Sequence, residues 1–119
     1  GCSGSPPCTM HVGDLDGSSG PGKNDNFWEA TVTITVYDGN GNPMGGVAVN
    51  GIWSSGTADA CGTDANGTCV VTSGDLDKDT YPEVTFTVSS VTDPPLSYDP
   101  SANTDPDGDS DGTQITVPQ

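Results

Sequence analysis

The sequence has no arginine and only two lysines, Lys23 and Lys78, against 17 acidic residues, leaving a formal net charge of −15. Phosphate backbones and anionic membrane surfaces need the opposite sign, so neither nucleic acid nor an acidic bilayer suits it as a partner. No apolar run approaches the roughly 20 residues that span a bilayer as a helix. Histidine occurs once, at His11. A Ser-His-Asp centre would need that one ring beside an exposed serine, and no serine here sits in a nucleophile-elbow pattern. A zinc or copper centre draws on several His or Cys ligands, and one free histidine does not suffice. Glutamate is limited to Glu29 and Glu83. The other acids are aspartates, which favour turns and caps, so the charge belongs to loops.

What is present points to strands. Glycine, proline, asparagine and aspartate interrupt every window a helix would need, and the apolar residues recur with period two. In residues 28–37, Trp28, Ala30, Val32, Ile34 and Val36 share one face, with threonines 31, 33 and 35 on the other. That is the pattern of an antiparallel strand with one buried face. Further strands are expected over 47–53, 68–72, 84–91 and 114–117, a short one near 10–12, and a weaker edge over 54–60. About seven short strands make one all-β domain, an antiparallel sandwich without significant helix, over residues 1–119. Its inward set is Trp28, Ala30, Val32, Ile34, Val36, Val47, Val49, Trp53, Val71, Val84, Phe86, Val88, Ile115 and Val117.

The four cysteines allow three pairings. The local one, Cys2–Cys8 with Cys61–Cys69, is favoured because the second pair brackets the turn signal Thr63-Asp64-Ala65-Asn66-Gly67, where a hairpin would hold the two at bridging distance. Paired C-x-x-C spacings are absent, which argues against zinc. Disulfides imply an oxidising compartment: secreted, periplasmic or cell-surface. The start reads as a mature form or excised domain with residues 1–9 tied by a disulfide. Gly1-Cys2-Ser3-Gly4 also fits the processed end of a lipoprotein, a reading that would leave Cys8 unpaired.

The run Asp107-Gly108-Asp109-Ser110-Asp111-Gly112 has the form of the first half of a calcium loop. Aspartates at alternate positions offer oxygens to one hard cation, and glycine permits the sharp turn. The twelfth position falls on Pro118 instead of a bidentate glutamate, so Asp99, Asp105 or the N-terminal Asp14 and Asp16 would complete the set. The acidic segment 92–113 is too long for a plain turn, as metal-ordered loops often are. Asp75, Asp77 and Asp79 form a second alternating set without the glycine. Asp14 and Asp16 are expected either beside that set, at one end of the sandwich, or beside the 105–111 loop. Solvated acidic turns, or a halophilic surface, account for the same residues without any metal.

Carbohydrate binding is the other chemistry available, because flat rings stack on sugar faces. Tyr37, Tyr98 and Trp28 are the candidate rings, with Tyr37 on the threonine face. Paired aspartates could in principle hydrolyse glycosides, but that needs an acid with a raised pKa in a partly apolar cleft, and these lie in wet glycine-rich loops.

The series Ala30-Thr-Val-Thr-Ile-Thr-Val-Tyr-Asp-Gly-Asn-Gly-Asn-Pro43 with Gly46-Val-Ala-Val-Asn50, then Thr63-Asp64-Ala-Asn-Gly67, Val70-Val-Thr and Val84-Thr-Phe-Thr-Val88, resembles the bacterial Ig-like domains of the invasin/intimin type. The resemblance covers most of residues 28–91. It implies an Ig-like sandwich serving as a spacer or adhesive module of a surface protein, or as an accessory domain of a secreted hydrolase. The cysteine pair, the acidic segment and Gly13-Asp-Leu-Asp-Gly17 depart from it. The expectation is therefore a monomeric, non-catalytic extracellular module stabilised by calcium, with neighbouring domains as partners. The alternative is a module that targets an attached enzyme to insoluble polysaccharide.

Overall fold

The computed structural model describes residues 9–39, 41–92, 97–104 and 110–119. They form eight strands: β1 (Thr9–Pro21), β2 (Phe27–Asp38), β3 (Ala48–Trp53), β4 (Ala58–Gly62), β5 (Thr68–Asp77), β6 (Glu83–Thr92), β7 (Ser97–Tyr98) and β8 (Gln114–Pro118). One 3-10 turn, Pro100–Ala102, is the only helical element among the described residues. The strands make two four-stranded sheets, ordered β5-β2-β1-β7 and β4-β3-β6-β8. This is the all-β sandwich that the alternation predicts. Pairing is antiparallel throughout, except that β7 runs parallel to β1 at Thr9–Ser97 and Met10–Tyr98.

The core follows from side chains that alternate across each strand. Every residue of the expected inward set is buried, and Met10, Val12, Leu15, Met44, Cys69, Leu76 and Val91 join it. Trp53 and Phe86 meet near the middle, with ring centroids 4.9 Å apart and planes tilted by 55°. That edge-leaning geometry is favourable for aromatic pairs. Thr63 is the buried polar side chain of this core. Its hydroxyl donates to the Met44 carbonyl and accepts from the Val47 amide, so both backbone groups are satisfied.

Four elements differ from the sequence expectation, the first being β7, which lies inside the segment expected to be a loop. β1 extends far beyond residues 10–12, because a bulge at Gly13 shifts the alternation by one. Asp14 and Asp16 are therefore strand residues, opposite Thr35 and Thr33. β5 likewise runs past Thr72, since Ser73 and Gly74 together oppose Ala30. Gly74 has φ +74°, a backbone that glycine adopts freely. The weak edge expected over 54–60 is displaced: 54–57 form a turn and the strand is β4, which pairs with β3 and not with β5. The Cys61–Cys69 disulfide, with Cα atoms 5.8 Å apart, thus joins an edge strand of one sheet to an edge strand of the other. It clips the two layers together and does not cross a hairpin. Cys2 and Cys8 lie outside the described residues.

Candidate functional site

The sequence places the chemistry in the acidic segment, and its described flanks show how that segment is mounted. Met10 accepts from the Asp99 amide, and Val12 accepts from the Thr104 amide, both at 2.9 Å. The Thr104 hydroxyl donates to the Gly13 carbonyl at 3.3 Å. Asn103 is the central connector. Its Oδ1 accepts from the Val12 amide at 2.8 Å, while its Nδ2 donates to the Tyr98 hydroxyl at 2.7 Å and to Thr113 Oγ1 at 3.0 Å. On the return, Gly112 packs against the Thr104 backbone, where a Cβ would approach within 2.9 Å, and it holds φ +85°. The leading flank is therefore laced to β1 beside its bulge, and the return flank is joined to it through Asn103 and Thr104.

Of the proposed calcium ligands, Asp105, Asp107 and Asp109 lie outside the described residues. Asp99 and Asp111 are described, and each already uses one carboxylate oxygen as a cap. Asp99 Oδ1 accepts from the Ser101 amide and hydroxyl at the start of the 3-10 turn. Asp111 Oδ1 accepts from the Thr113 and Gln114 amides and sets the entry into β8. Among the described residues no three acids, histidines or cysteines converge as a metal would require.

Asp14 and Asp16 alternate with buried Leu15, so both lie on the outer face of β1. Asp14 follows Gly13, whose carbonyl accepts from the Thr104 hydroxyl, so it stands next to the flank of the acidic segment. Both aspartates lie apart from the second acidic set: Asp14 pairs at Thr35 and Asp16 at Thr33, six and four residues along β2 from Glu29, where Asp75 pairs, or about 20 and 13 Å. The arrangement with Asp14 and Asp16 beside Asp75, Asp77 and Asp79 is thereby corrected. A strand, not a loop, carries the first pair. Asp75 Oδ1 accepts from the Lys23 amide and Asp77 Oδ1 from the Asp79 amide, so this set shapes the turns at the opposite end.

The candidate rings do not form a platform. Trp28 is 2% exposed, and its Nε1–H donates to the Tyr81 carbonyl at 2.8 Å. It is a core residue, placed there by its phase with Ala30 and Val32. Tyr37 is half-buried on the outer face, its ring lying over Gly13 so closely that a Cβ there would collide with Cδ2. The His11 ring lies 6.2 Å from it, tilted by 56°. Tyr98 pairs with inward Met10 and packs against the core. Tyr37 and Tyr98 thus face opposite sides of their sheet. Burial pushes the Tyr98 hydroxyl above its ordinary pKa, and the hydrogen bond from Asn103 only partly offsets that.

Sequence reading missed Asn103 and Thr104, since a lone Asn-Thr pair in a loop carries no signal of its own. Gly13 was legible only as the start of a segment departing from the resemblance, not as the bulge that seats Tyr37. Scans against protein-family models, the curated proteins and the solved structures each found no match.

Proposed function

We propose that the chain is a non-catalytic extracellular module of a larger secreted or surface protein, a spacer or adhesion domain braced by calcium at its acidic segment. The observation that carries this reading is the lacing of one flank of that segment to β1 through Asn103 and Thr104, with the other flank joined to those two residues through Thr113 and Gly112. A cation held by the aspartates between those flanks would tie the opening strand to the last turn before β8. The overall form suits a spacer. The molecule measures 53 × 23 × 22 Å, and a 13-residue strand spans about 40 Å, so the strands run along the long axis. The polysaccharide-targeting alternative has less support, because Trp28 is core and the two tyrosines face apart.

The test is a melting experiment. Calcium at about 10 mM, some ten to a hundred times the dissociation constant usual for extracellular calcium modules, should raise the melting temperature by roughly 5 °C or more. EDTA should reverse the rise, and magnesium should reproduce little of it. An unchanged transition in calcium and in EDTA would remove the metal from this proposal.

A further inference from the structure

Among the described residues, the second half of β1 is an open strand edge. Beyond the two-residue pairing with β7, β1 has β2 on one side only. Within a strand, the N–H and C=O of one residue point the same way, and successive residues alternate. The Ala30 amide and the Val36 amide and carbonyl bond on the β5 side, so odd-numbered residues of β2 face β1. Their partners Asp16 and Ser18 face inward to the ladder, and Gly17 and Ser19 present N–H and C=O outward. Among the described residues no strand takes those groups.

The other edges are blunted. β8 is short and places Pro118 on its outer side. β4 is short and held by the disulfide, and β5 carries the other half of that bridge and the bulge at Gly74. Natural sheets protect edges by such devices. On β1, residues 17–20 read Gly-Ser-Ser-Gly, with no charge and no proline until Pro21. Alongside runs a groove of about 260 Å³ lined by Gly17 to Ser19 and by β8, whose Ile115 and Val117 are 3% and 2% exposed.

We infer that this edge accepts an extended peptide strand by backbone pairing, and that the peptide alternates basic residues with small apolar ones. The alternation follows from what an added strand would meet. Side chains on its inner face would enter the groove beside Ile115 and Val117, which admits small apolar groups. Those on its outer face would stand across from Asp16, with Glu29 one strand further in opposite Gly20. Opposite charges across adjacent strands attract, and the chain's charge of −15 steers a cationic partner to it. The inference rests on sheet geometry and is independent of the calcium reading.

The test measures binding of a fluorescent, end-capped peptide of alternating lysine and valine by anisotropy, beside versions with threonine or glutamate in place of lysine. The lysine peptide should bind most tightly and weaken as salt is raised. Ser19→Pro removes an outward N–H that β2 does not use, so circular dichroism should be unchanged while affinity falls roughly tenfold. Asp16→Lys should narrow the preference for lysine over glutamate about threefold, an arm that stands even if the proline variant folds poorly. Equal binding of all three peptides would overturn the charge assignment. Absence of binding, or sedimentation as a dimer that Ser19→Pro dissolves, would overturn the inference, the latter in favour of a second copy at this edge.

Discussion

Asn103 illustrates how one side chain can hold a loop to a sheet. Its amide satisfies the Val12 backbone, the Tyr98 hydroxyl and the Thr113 hydroxyl together. Truncation would leave a Val12 amide without its acceptor and free Tyr98 from its anchor. Asn103→Ala should therefore destabilise the fold by about 2 kcal/mol, read as a lower urea midpoint with an unchanged slope. The same variant should also shrink the calcium-induced rise in melting temperature, because the flank of the acidic segment is no longer fixed to β1. A loss of stability with a full calcium response would separate the two roles and count against the proposed bracing. None of this was legible beforehand. An asparagine in a Pro-Ser-Ala-Asn-Thr run reads only as a turn former, and the amide that donates to it lies 91 residues away in sequence.

At the scale of elements, strict alternation was readable and broken alternation was not. The 28–37 strand declared itself because its apolar phase never slips, and the structure returns it as β2 with one residue added at each end. β1 has as long a ladder, but the bulge at Gly13 puts Met10 and Val12 in one phase and Leu15 in the other. Aspartates and glycines then make the remainder look like a loop. The same physics hid the second half of β5. Sequence spacing found the Cys61–Cys69 pair but not its job, since which sheet each strand joins is a long-range property. In the chain-entropy account, closing this short loop contributes about 2.5 kcal/mol. Reduction with dithiothreitol, or the double Cys61→Ser, Cys69→Ser variant, should lower stability by roughly that amount while preserving the β-sheet circular dichroism. Loss of the sheet signal altogether would mean that the clip is needed to form the sandwich, beyond stabilising it.

For the whole molecule, charge is the dominant global feature. With −15 on a small domain and two lysines to oppose it, self-repulsion disfavours the compact state, and mobile ions relieve it. Sodium chloride raised from about 10 mM to about 150 mM shortens the Debye length from roughly 30 to 8 Å, so the melting temperature should rise steadily. Calcium compared at matched ionic strength should add a saturable increment above that screening curve. A calcium response that merely follows ionic strength would assign all of it to screening. Composition alone made this term legible. It left open which acids share a site, because net charge carries no geometry.

β1 and β8 lie in different sheets yet head in the same direction. Thr9 accepts from the Gly39 amide at one end, while Gln119 bonds to Lys78, Tyr81 and Pro82 at the other. A tether entering at Thr9 and leaving at Gln119 would therefore pull along the strands, loading the β1–β2 and β6–β8 ladders in shear. Hydrogen bonds perpendicular to such a force fail together instead of unzipping one by one. As a link in a stretched chain, this domain should resist tension along its length and yield late.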